Sequence, residues 1–102
     1  MLCMNELGFT AHRIGQALQS ARKATNITQE AFDDISSRTY ISAVERGVKV
    51  PTLSKIDEFC EVLDLLPLTL LVMAYAGNDK TDQQELLEAV KKQLHRIQVQ
   101  SY

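Results

Sequence analysis

Polar side chains that can recognise DNA are concentrated in residues 36–47, Ser-Ser-Arg-Thr-Tyr-Ile-Ser-Ala-Val-Glu-Arg-Gly. An arginine can donate two hydrogen bonds to guanine O6 and N7, and threonine and serine hydroxyls can bond to base edges or phosphates. In a helix, Ile41 and Val44 would share one face and the polar residues would occupy the others. The pattern fits a short helix that is anchored on one side and open to a partner on the other. An ordinary amphipathic surface helix fits it equally well.

The ends and the surroundings of this stretch favour the first interpretation. Ser36 or Ser37 can cap its start, and Gly47 can take the left-handed conformation that ends a helix. Upstream, residues 27–32 (Ile-Thr-Gln-Glu-Ala-Phe) predict a short capped helix, and downstream, residues 50–53 (Val-Pro-Thr-Leu) predict the start of another. Two short helices joined by a tight turn, with a third soon after, are typical of a helix-turn-helix.

Apolar residues recur at helical spacing through the rest of the chain, which predicts an all-α fold. The predicted helices run over about 10–25, 29–34, 37–45, 52–63, 67–75 and 81–98. Residues 1–9 give no periodic signal and are expected to form an irregular lead-in. Thr10, Thr52 and Thr81 are the expected N-caps, because each side chain can accept a hydrogen bond from a backbone N–H of the first turn. The stripe expected in the core is Leu53, Ile56, Phe59, Cys60 and Leu63.

The size and composition of the chain fit one small domain with a single core. Of the 102 residues, 45% are apolar and 24% are charged, which is ordinary globular composition. The net charge of −2 does not favour a nucleic-acid ligand. Residues 11–50 nevertheless carry a charge of +2, whereas residues 51–102 carry −3. This distribution suits a protein that presents one face to phosphate and another to a second subunit or a protein partner.

No set of side chains has the spacing of a metal site or a catalytic centre. Cys3 and Cys60 have no His at a useful spacing, and Cys60 falls in an apolar phase that favours burial. His12 and His95 lie near no Cys or Asp arrangement, and there is no Gly-rich phosphate loop. We therefore expect no cofactor, no metal and no enzymatic activity. The chain shows no signal peptide and no apolar window of about 20 residues, so we expect a cytoplasmic protein.

Five motifs follow one another between residues 14 and 74. They are Ile14-x3-Leu18-x3-Arg22, Ile27-Thr-Gln-Glu-Ala-Phe32, Tyr40-Ile-Ser-x2-Glu-Arg-Gly47, Pro51-Thr-Leu53, and the stretch from Ile56 to Leu63 with a short helix after it. Together they resemble the XRE family of helix-turn-helix regulators, whose lambda-repressor-like domains occur in bacterial and phage repressors, restriction-modification controllers and antitoxins. The resemblance implies a five-helix lambda-repressor-like DNA-binding domain over residues 10–76, plus one C-terminal helix in residues 77–102.

The resemblance also implies which residues touch DNA. The implied base readers, with Arg38 as the leading candidate, are Arg38, Thr39, Ser42 and Ala43. The implied phosphate contacts are Gln29, Ser37, Tyr40, Arg46 and Lys49. Tyr40 has an alternative, which is to pack against the preceding helix. Asp33 and Asp34 depart from the family pattern, as does a turn about two residues shorter and without Gly, and these departures leave the register of the base contacts open by one residue.

An ion pair between Arg22 and Glu45 is a further implication of the resemblance. A bidentate bond between the guanidinium and the carboxylate can fix the first helix against the recognition helix. The same bond would blunt the repulsion between Glu45 and DNA phosphates.

Surplus apolar residues in the second half of the chain suggest a homodimer. The candidate interface residues are Leu66, Leu70, Met73, Leu87, Val90, Leu94 and Ile97. The last four recur at spacings of three, four and three, which is a seam of two heptads. A helix this short is marginal alone, so it must pack on its own domain, on a second subunit, or on both.

The expected function is that of a sequence-specific transcriptional regulator that binds double-stranded DNA. A homodimeric repressor reading an inverted-repeat operator through the helix at 37–45 is the leading hypothesis. The alternative is an antitoxin-like or other protein-interaction module, in which partner binding is primary and DNA binding secondary.

Overall fold

Five α-helices and one 3-10 helix make up the described part of the chain. The computed structural model describes residues 7–101, with side chains described over residues 13–99. The helices are α1 (Leu7–Ala24), the 3-10 helix (Gln29–Phe32), α2 (Arg38–Glu45), α3 (Leu53–Leu63), α4 (Pro67–Ala76) and α5 (Lys80–Ser101). No strand occurs within residues 7–101. The expected all-α fold is therefore confirmed, with five helical segments before the C-terminal helix.

The ends of α2 and α3 follow local capping chemistry. The Ser37 hydroxyl accepts a hydrogen bond from the Tyr40 N–H at 3.1 Å, and the Thr52 hydroxyl accepts one from the Lys55 N–H at 3.2 Å. Gly47 has a φ of 78°, a conformation that a residue without a Cβ adopts readily. These start and stop positions are the ones expected from the sequence.

Three other boundaries differ from the expectation. Helix α1 begins at Leu7 rather than at Thr10, so part of the expected lead-in is helical, and residues 1–6 lie outside the described residues. The second helix is a single 3-10 turn that ends at Phe32, two residues early. Helix α5 begins before Thr81, because the Asp79 carboxylate caps it by accepting from the Asp82 N–H at 3.0 Å.

The core lies between α1, the 3-10 helix, α2, α3 and α4. The rings of Phe32 and Phe59 meet edge to face at its centre, with their centroids 5.6 Å apart. Most of the expected α3 stripe is buried, but Leu53 is exposed, because no described element covers the first turn of α3. The buried hydrophobic cluster comprises Ile14, Ala17, Leu18, Ala21, Phe32, Ile41, Val44, Ile56, Phe59, Cys60, Leu63, Leu70 and Ala74.

Helices α1 and α2 cross at Gly15 with almost no space between their backbones. A Cβ atom at this position would overlap the carbonyl oxygen of Val44 and lie 2.8 Å from that of Glu45. Only glycine allows so close an approach. The crossing fixes α2 directly against the longest helix of the core.

A sharp corner joins α3 to α4. Asp64 ends α3 in the left-handed conformation, with a φ of 57°, and Pro67 occupies the first turn of α4. The two helices are bent by 105° relative to each other, and they reach the length and apolar content of a membrane span only when taken together. Within residues 7–101 no single helix does so.

Helix α5 leaves the body of the molecule at one end. Its N-terminal half packs on α4, while its C-terminal half extends away and gives the molecule dimensions of 45 × 26 × 23 Å. Leu94 and Ile97, two of the residues predicted to face a second subunit, are exposed on the extension. Leu70, also predicted to face a second subunit, lies on the side of α4 that packs into the core and is buried, so that prediction is wrong.

Candidate nucleic-acid interface

The outward face of α2 is polar and its inward face is apolar. Ile41 and Val44 are fully buried, whereas Arg38 and Thr39 are exposed and Ser42 is half-buried. This division follows from the helical period, since residues three apart fall on one side. The apolar face of α2 therefore packs against the core, and three of the four expected base readers are accessible together on the opposite face.

Ala43, the fourth expected base reader, lies on the wrong side of α2. It is only 7% exposed. Its carbonyl oxygen accepts hydrogen bonds from the N–H groups of Val48, at 2.9 Å, and Lys49, at 3.3 Å. A step of one residue turns a helix by about 100°, which moves Ala43 from the outer face of Ser42 toward the loop after α2. The expectation that Ala43 contacts a base is therefore wrong for this structure.

Tyr40 is half-buried and takes part in the packing of the core. Its ring centroid lies 6.4 Å from that of Phe59 on α3. The sequence left two roles open for this residue, a phosphate contact or packing against the preceding helix. The ring does pack, but on α3, and this anchors the inward side of α2.

Glu45 is the centre of a buried polar network that joins α1, the 3-10 helix and α2. Arg22 donates from Nε to Oε2 of Glu45 at 2.7 Å and from Nη2 to Oε1 at 3.0 Å. Gln29 Nε2 donates to the same Oε1 at 3.1 Å, and Arg22 Nη1 reaches the Ile27 carbonyl at 3.1 Å. The Glu45 side chain is only 3% exposed. This is the pairing that the family resemblance implied, with Gln29 as an additional member.

Charge is balanced inside this network. The hydrogen bond from Arg22 to Glu45 raises the pKa of Arg22, an effect that its partial burial opposes and the charge of Glu45 reinforces. The negative charge of Glu45 at the end of α2 is therefore paired with a fixed positive charge. An acid that would otherwise repel a phosphate is removed from the exposed face.

Gln29 and Arg46, both expected at phosphates, also make internal contacts. The Gln29 amide gives one hydrogen to Glu45 and has a second, because an NH₂ group carries two donors. Arg46 Nε donates to the Ser42 carbonyl at 3.2 Å, and the guanidinium has four further N–H donors. Ser37 and Lys49 are exposed on either side of α2.

The turn before α2 is held by a residue that the sequence did not single out. Lys55 Nζ on α3 donates to the Ile35 carbonyl at 2.5 Å and lies 3.1 Å from Glu58 Oε2. The turn is short and contains no Gly. Lys55, which lies on α3 and not in the turn, stabilises it by donating to the Ile35 carbonyl. The orientation of α2 therefore depends on α3 as well as on α1.

Comparison with known families decides the class of this protein. Residues 18–71, just over half of the chain, match the family model described as helix-turn-helix. The chain belongs to the XRE family of helix-turn-helix proteins. A comparison with curated proteins gives no match. As a member of the XRE family, the protein has the lambda-repressor-like all-α fold and is a DNA-binding transcription regulator.

Two acids lie beside the exposed arginine of this XRE-family protein. Glu30 Oε1 is 3.1 Å from Arg38 Nη2, and Asp33 Oδ1 is 3.6 Å from Arg38 Nε. Asp33 is one of the two acids that depart from the family pattern. All three side chains are more than half exposed, so each ion pair contributes little to stability. Arg38, the leading candidate for base readout, is nonetheless engaged by two carboxylates.

Other polar groups of the XRE-family domain are structural in this conformation. Arg13 Nη1 donates to the Tyr75 carbonyl at 2.6 Å, near the C-terminal end of α4, where a positive charge is favourable. Burial, and to a lesser degree the charge of Asp57, raise the pKa of the Cys60 thiol. Within residues 7–101 no three His, Cys, Asp or Glu side chains lie close enough to hold a metal ion.

The sequence contained a signal for Gly15 but none for the acids around Arg38. An isolated Gly inside a helical pattern weakens the helix and so points to a close packing contact, which here is the crossing with α2. Glu30 and Asp33 belong to the 3-10 helix and its C-cap, whereas Arg38 begins α2, so helical spacing gave no indication that they meet.

Proposed function

We propose that the protein is a homodimeric transcriptional repressor that reads an inverted-repeat operator in the cytoplasm. One recognition helix, α2, would enter a major groove in each half-site. The observation that carries the proposal is the accessible cluster of Arg38, Thr39 and Ser42 on a helix that a buried ion pair and a glycine crossing hold against α1. The proposal assigns residues up to Ala76 to DNA binding and α5 to dimerisation, and it gives no residue a catalytic role.

Arg38 is the residue best suited to read a base. It lies in the first turn of α2, the part of a recognition helix that contacts base edges. Its guanidinium can bond guanine O6 and N7 together, while Thr39 and Ser42 offer a methyl group and hydroxyls beside it. Phosphate contacts are proposed for Ser37, Arg46 and Lys49, with the second amide hydrogen of Gln29 adding to them. Tyr40 and Ala43 are left out because they pack inward.

Selection of binding sites from random duplex DNA with the purified full chain tests the proposal. We expect an inverted repeat whose half-sites lie about 34–36 Å apart, one helical turn, because two-fold symmetry in the protein is matched in the operator. Binding should weaken steeply as salt increases, since each phosphate contact releases counterions. The proposal would be contradicted if no sequence is enriched, or if the affinity for DNA does not change with salt concentration.

Replacing Arg38 with Ala should relax specificity at one base pair of each half-site. We expect a loss of about 1–3 kcal/mol in discrimination there, because one bidentate contact disappears. Lys49→Ala is the matched control. It should weaken binding to all sequences alike and lower the salt dependence by about one counterion, as expected for a phosphate contact. Titration of the selected operator and its single-base variants measures both effects. Equal losses on every sequence for Arg38→Ala would exclude it as a base reader.

Removing the two acids beside Arg38 should tighten operator binding. In the Glu30→Gln, Asp33→Asn double variant the guanidinium no longer has to leave two carboxylates, and two negative charges near phosphate are gone. Exposed ion pairs contribute about 0.2–1 kcal/mol each, so for the two pairs together we expect a gain of roughly two- to thirtyfold in affinity. Glu61→Gln, which removes an exposed acid of α3, should leave affinity unchanged. Weaker binding by a fully folded double variant would refute the idea that these acids compete with DNA.

The exposed apolar surface of α4 and α5 favours a second candidate function. Leu66 and Leu68 at the start of α4 are exposed, as are Leu94 and Ile97 on α5. Patches of this kind mark interaction sites. An antitoxin-like module would use them for a different protein and would bind DNA secondarily. A monomer at micromolar concentration, together with a tight complex with the product of an adjacent gene, would favour this candidate over the homodimer.

A further inference from the structure

The two ends of α2 are held by different elements. At the C-terminal end, the backbone of Glu45 lies close to Gly15 and its carboxylate is bonded by Arg22, so α1 fixes this end. Toward the N-terminal end, the ring of Tyr40 packs on Phe59 of α3. Helix α2 is about 12 Å long at 1.5 Å per residue, so its first turn is the part that moves most if the helix swings about its fixed end.

Lys55 of α3 supplies the polar contact near the start of α2. Ile35 lies in the turn between the 3-10 helix and α2, and its N–H donates to the Phe32 carbonyl at 3.0 Å. Its carbonyl accepts from Lys55 Nζ at 2.5 Å, and its side chain packs against the core. Only two residues separate Ile35 from Arg38. A displacement of this carbonyl would therefore be passed directly to the first turn of α2.

The amine of Lys55 is engaged inside the domain. Besides the Ile35 carbonyl it contacts Glu58 Oε2 at 3.1 Å, and the Lys55 side chain is 33% exposed. The carboxylate of Glu58 balances the charge of the amine and would repel a phosphate that approached it. Lys49, in contrast, is exposed on the loop after α2. The contacts of Lys55 therefore suit a support for α2 and not a phosphate contact.

We propose that Lys55 is a positioning residue for base readout, which acts through the Ile35 carbonyl on the first turn of α2. A group that recognises a ligand has to be held within about 0.5 Å of its productive position, so a small shift of Arg38 would cost discrimination between bases. Phosphate contacts carry no sequence information and would be affected much less. The inference rests on the proposed DNA-binding function, and it assigns part of the sequence specificity to a residue that does not touch DNA.

Lys55→Met in the full chain tests the inference, because it removes the donor and keeps the aliphatic stem. We expect discrimination at the base pair read by Arg38 to fall by roughly fivefold or more, the lower end of what one bidentate contact provides. Affinity for a random duplex and its salt dependence should stay within about twofold of the original, because a lost phosphate contact would lower the salt dependence. Partial unfolding would instead weaken binding to all sequences alike. Titrations of the operator, its single-base variant and the random duplex measure these effects.

Two variants serve as controls. Glu58→Gln leaves the bond from Lys55 to Ile35 in place, so discrimination should be unchanged. Lys55→Arg keeps N–H donors on a long side chain and should retain most of the discrimination. Circular dichroism shows whether each variant is folded. If Lys55→Met is not folded, Lys55→Gln replaces it with the same expected result, because its amide nitrogen is one bond shorter in reach.

The outcomes separate this inference from the proposed function. Unchanged discrimination in folded Lys55→Met, or an equal loss in Glu58→Gln, overturns the role of Lys55 while the original chain still binds its operator. A Lys55→Arg protein that discriminates no better than Lys55→Met overturns it as well. If the original chain selects no operator, the proposed function itself fails, and the positioning role fails with it.

Discussion

Replacing Arg22 with Met is expected to lower the free energy of unfolding by about 3 kcal/mol, the cost of removing one partner from a buried ion pair. Glu45, only 3% exposed, would lose both bonds from the guanidinium and keep only the donor of Gln29. The Ile27 carbonyl would lose its side-chain donor as well. For a domain of this size the change corresponds to a fall in Tm of roughly 12 °C or more. Urea unfolding followed by circular dichroism measures it.

Two further variants show whether the effect belongs to the pair. Lys23→Met removes an exposed charge from the next position of α1 and should change stability by no more than about 0.5 kcal/mol. The Arg22→Met, Glu45→Met double variant should recover most of the loss, because an apolar pair of similar volume leaves no buried charge behind. The ion pair does not stabilise the fold if Arg22→Met lowers the free energy of unfolding no more than Lys23→Met does. The same conclusion follows if the double variant is destabilised by the sum of two large single effects.

Gly15→Ala is expected to destabilise the protein by about 2 kcal/mol and to impair DNA binding in the molecules that remain folded. The new Cβ would overlap the carbonyl oxygen of Val44, which is backbone and cannot rotate away. Overpacking costs about 3 kcal/mol at the upper end, and the better helix propensity of Ala returns about 1 kcal/mol. Relief requires α1 and α2 to separate. Because α2 bears the proposed base readers, operator affinity should fall roughly tenfold, equivalent to one base contact.

The neighbouring position on α1 supplies the control for this substitution. Gln16 is exposed, so Gln16→Ala should leave both stability and operator affinity within about 0.5 kcal/mol of the original values. Thermal unfolding and fluorescence titration of both variants give the comparison. A Gly15→Ala protein that is more stable than the original would show that propensity outweighs the crossing. A Gly15→Ala protein that is destabilised but binds the operator with unchanged affinity would show that the α1–α2 crossing is not needed for DNA recognition.

The two predictions describe one property of the molecule, which is how α2 is held. A helix of eight residues has little stability of its own and depends on its neighbours. Its end is fixed by the bonds from Arg22, its inner side by the approach at Gly15, and the turn before it by Lys55. Direct readout of bases needs such a rigid support, because a bidentate contact tolerates little misplacement.

Local chemistry explains which features could be predicted from the sequence. The caps at Ser37 and Thr52 and the stop at Gly47 depend on atoms within about four residues, so the residue types were enough to place them. The burial of Ile41 and Val44 follows from the helical period in the same way. The family pattern added the pairing of Arg22 with Glu45, which no local rule could supply.

Only the tertiary structure decided which flanks of each helix are covered and which distant charges meet. Ala43 was expected on the outer face of α2 and Leu70 at a subunit interface, yet Ala43 lies against the loop after α2 and Leu70 faces the core, so both are buried. Glu30 and Asp33 reach Arg38 only because the short turn folds the 3-10 helix beside α2. The sequence by itself determined that the fold is helical, the caps of α2 and α3 and the apolar faces, since these depend on contacts within a few residues. The crossing of neighbouring helices determined which side chains of α2 remain accessible, because that depends on contacts between residues far apart in the chain.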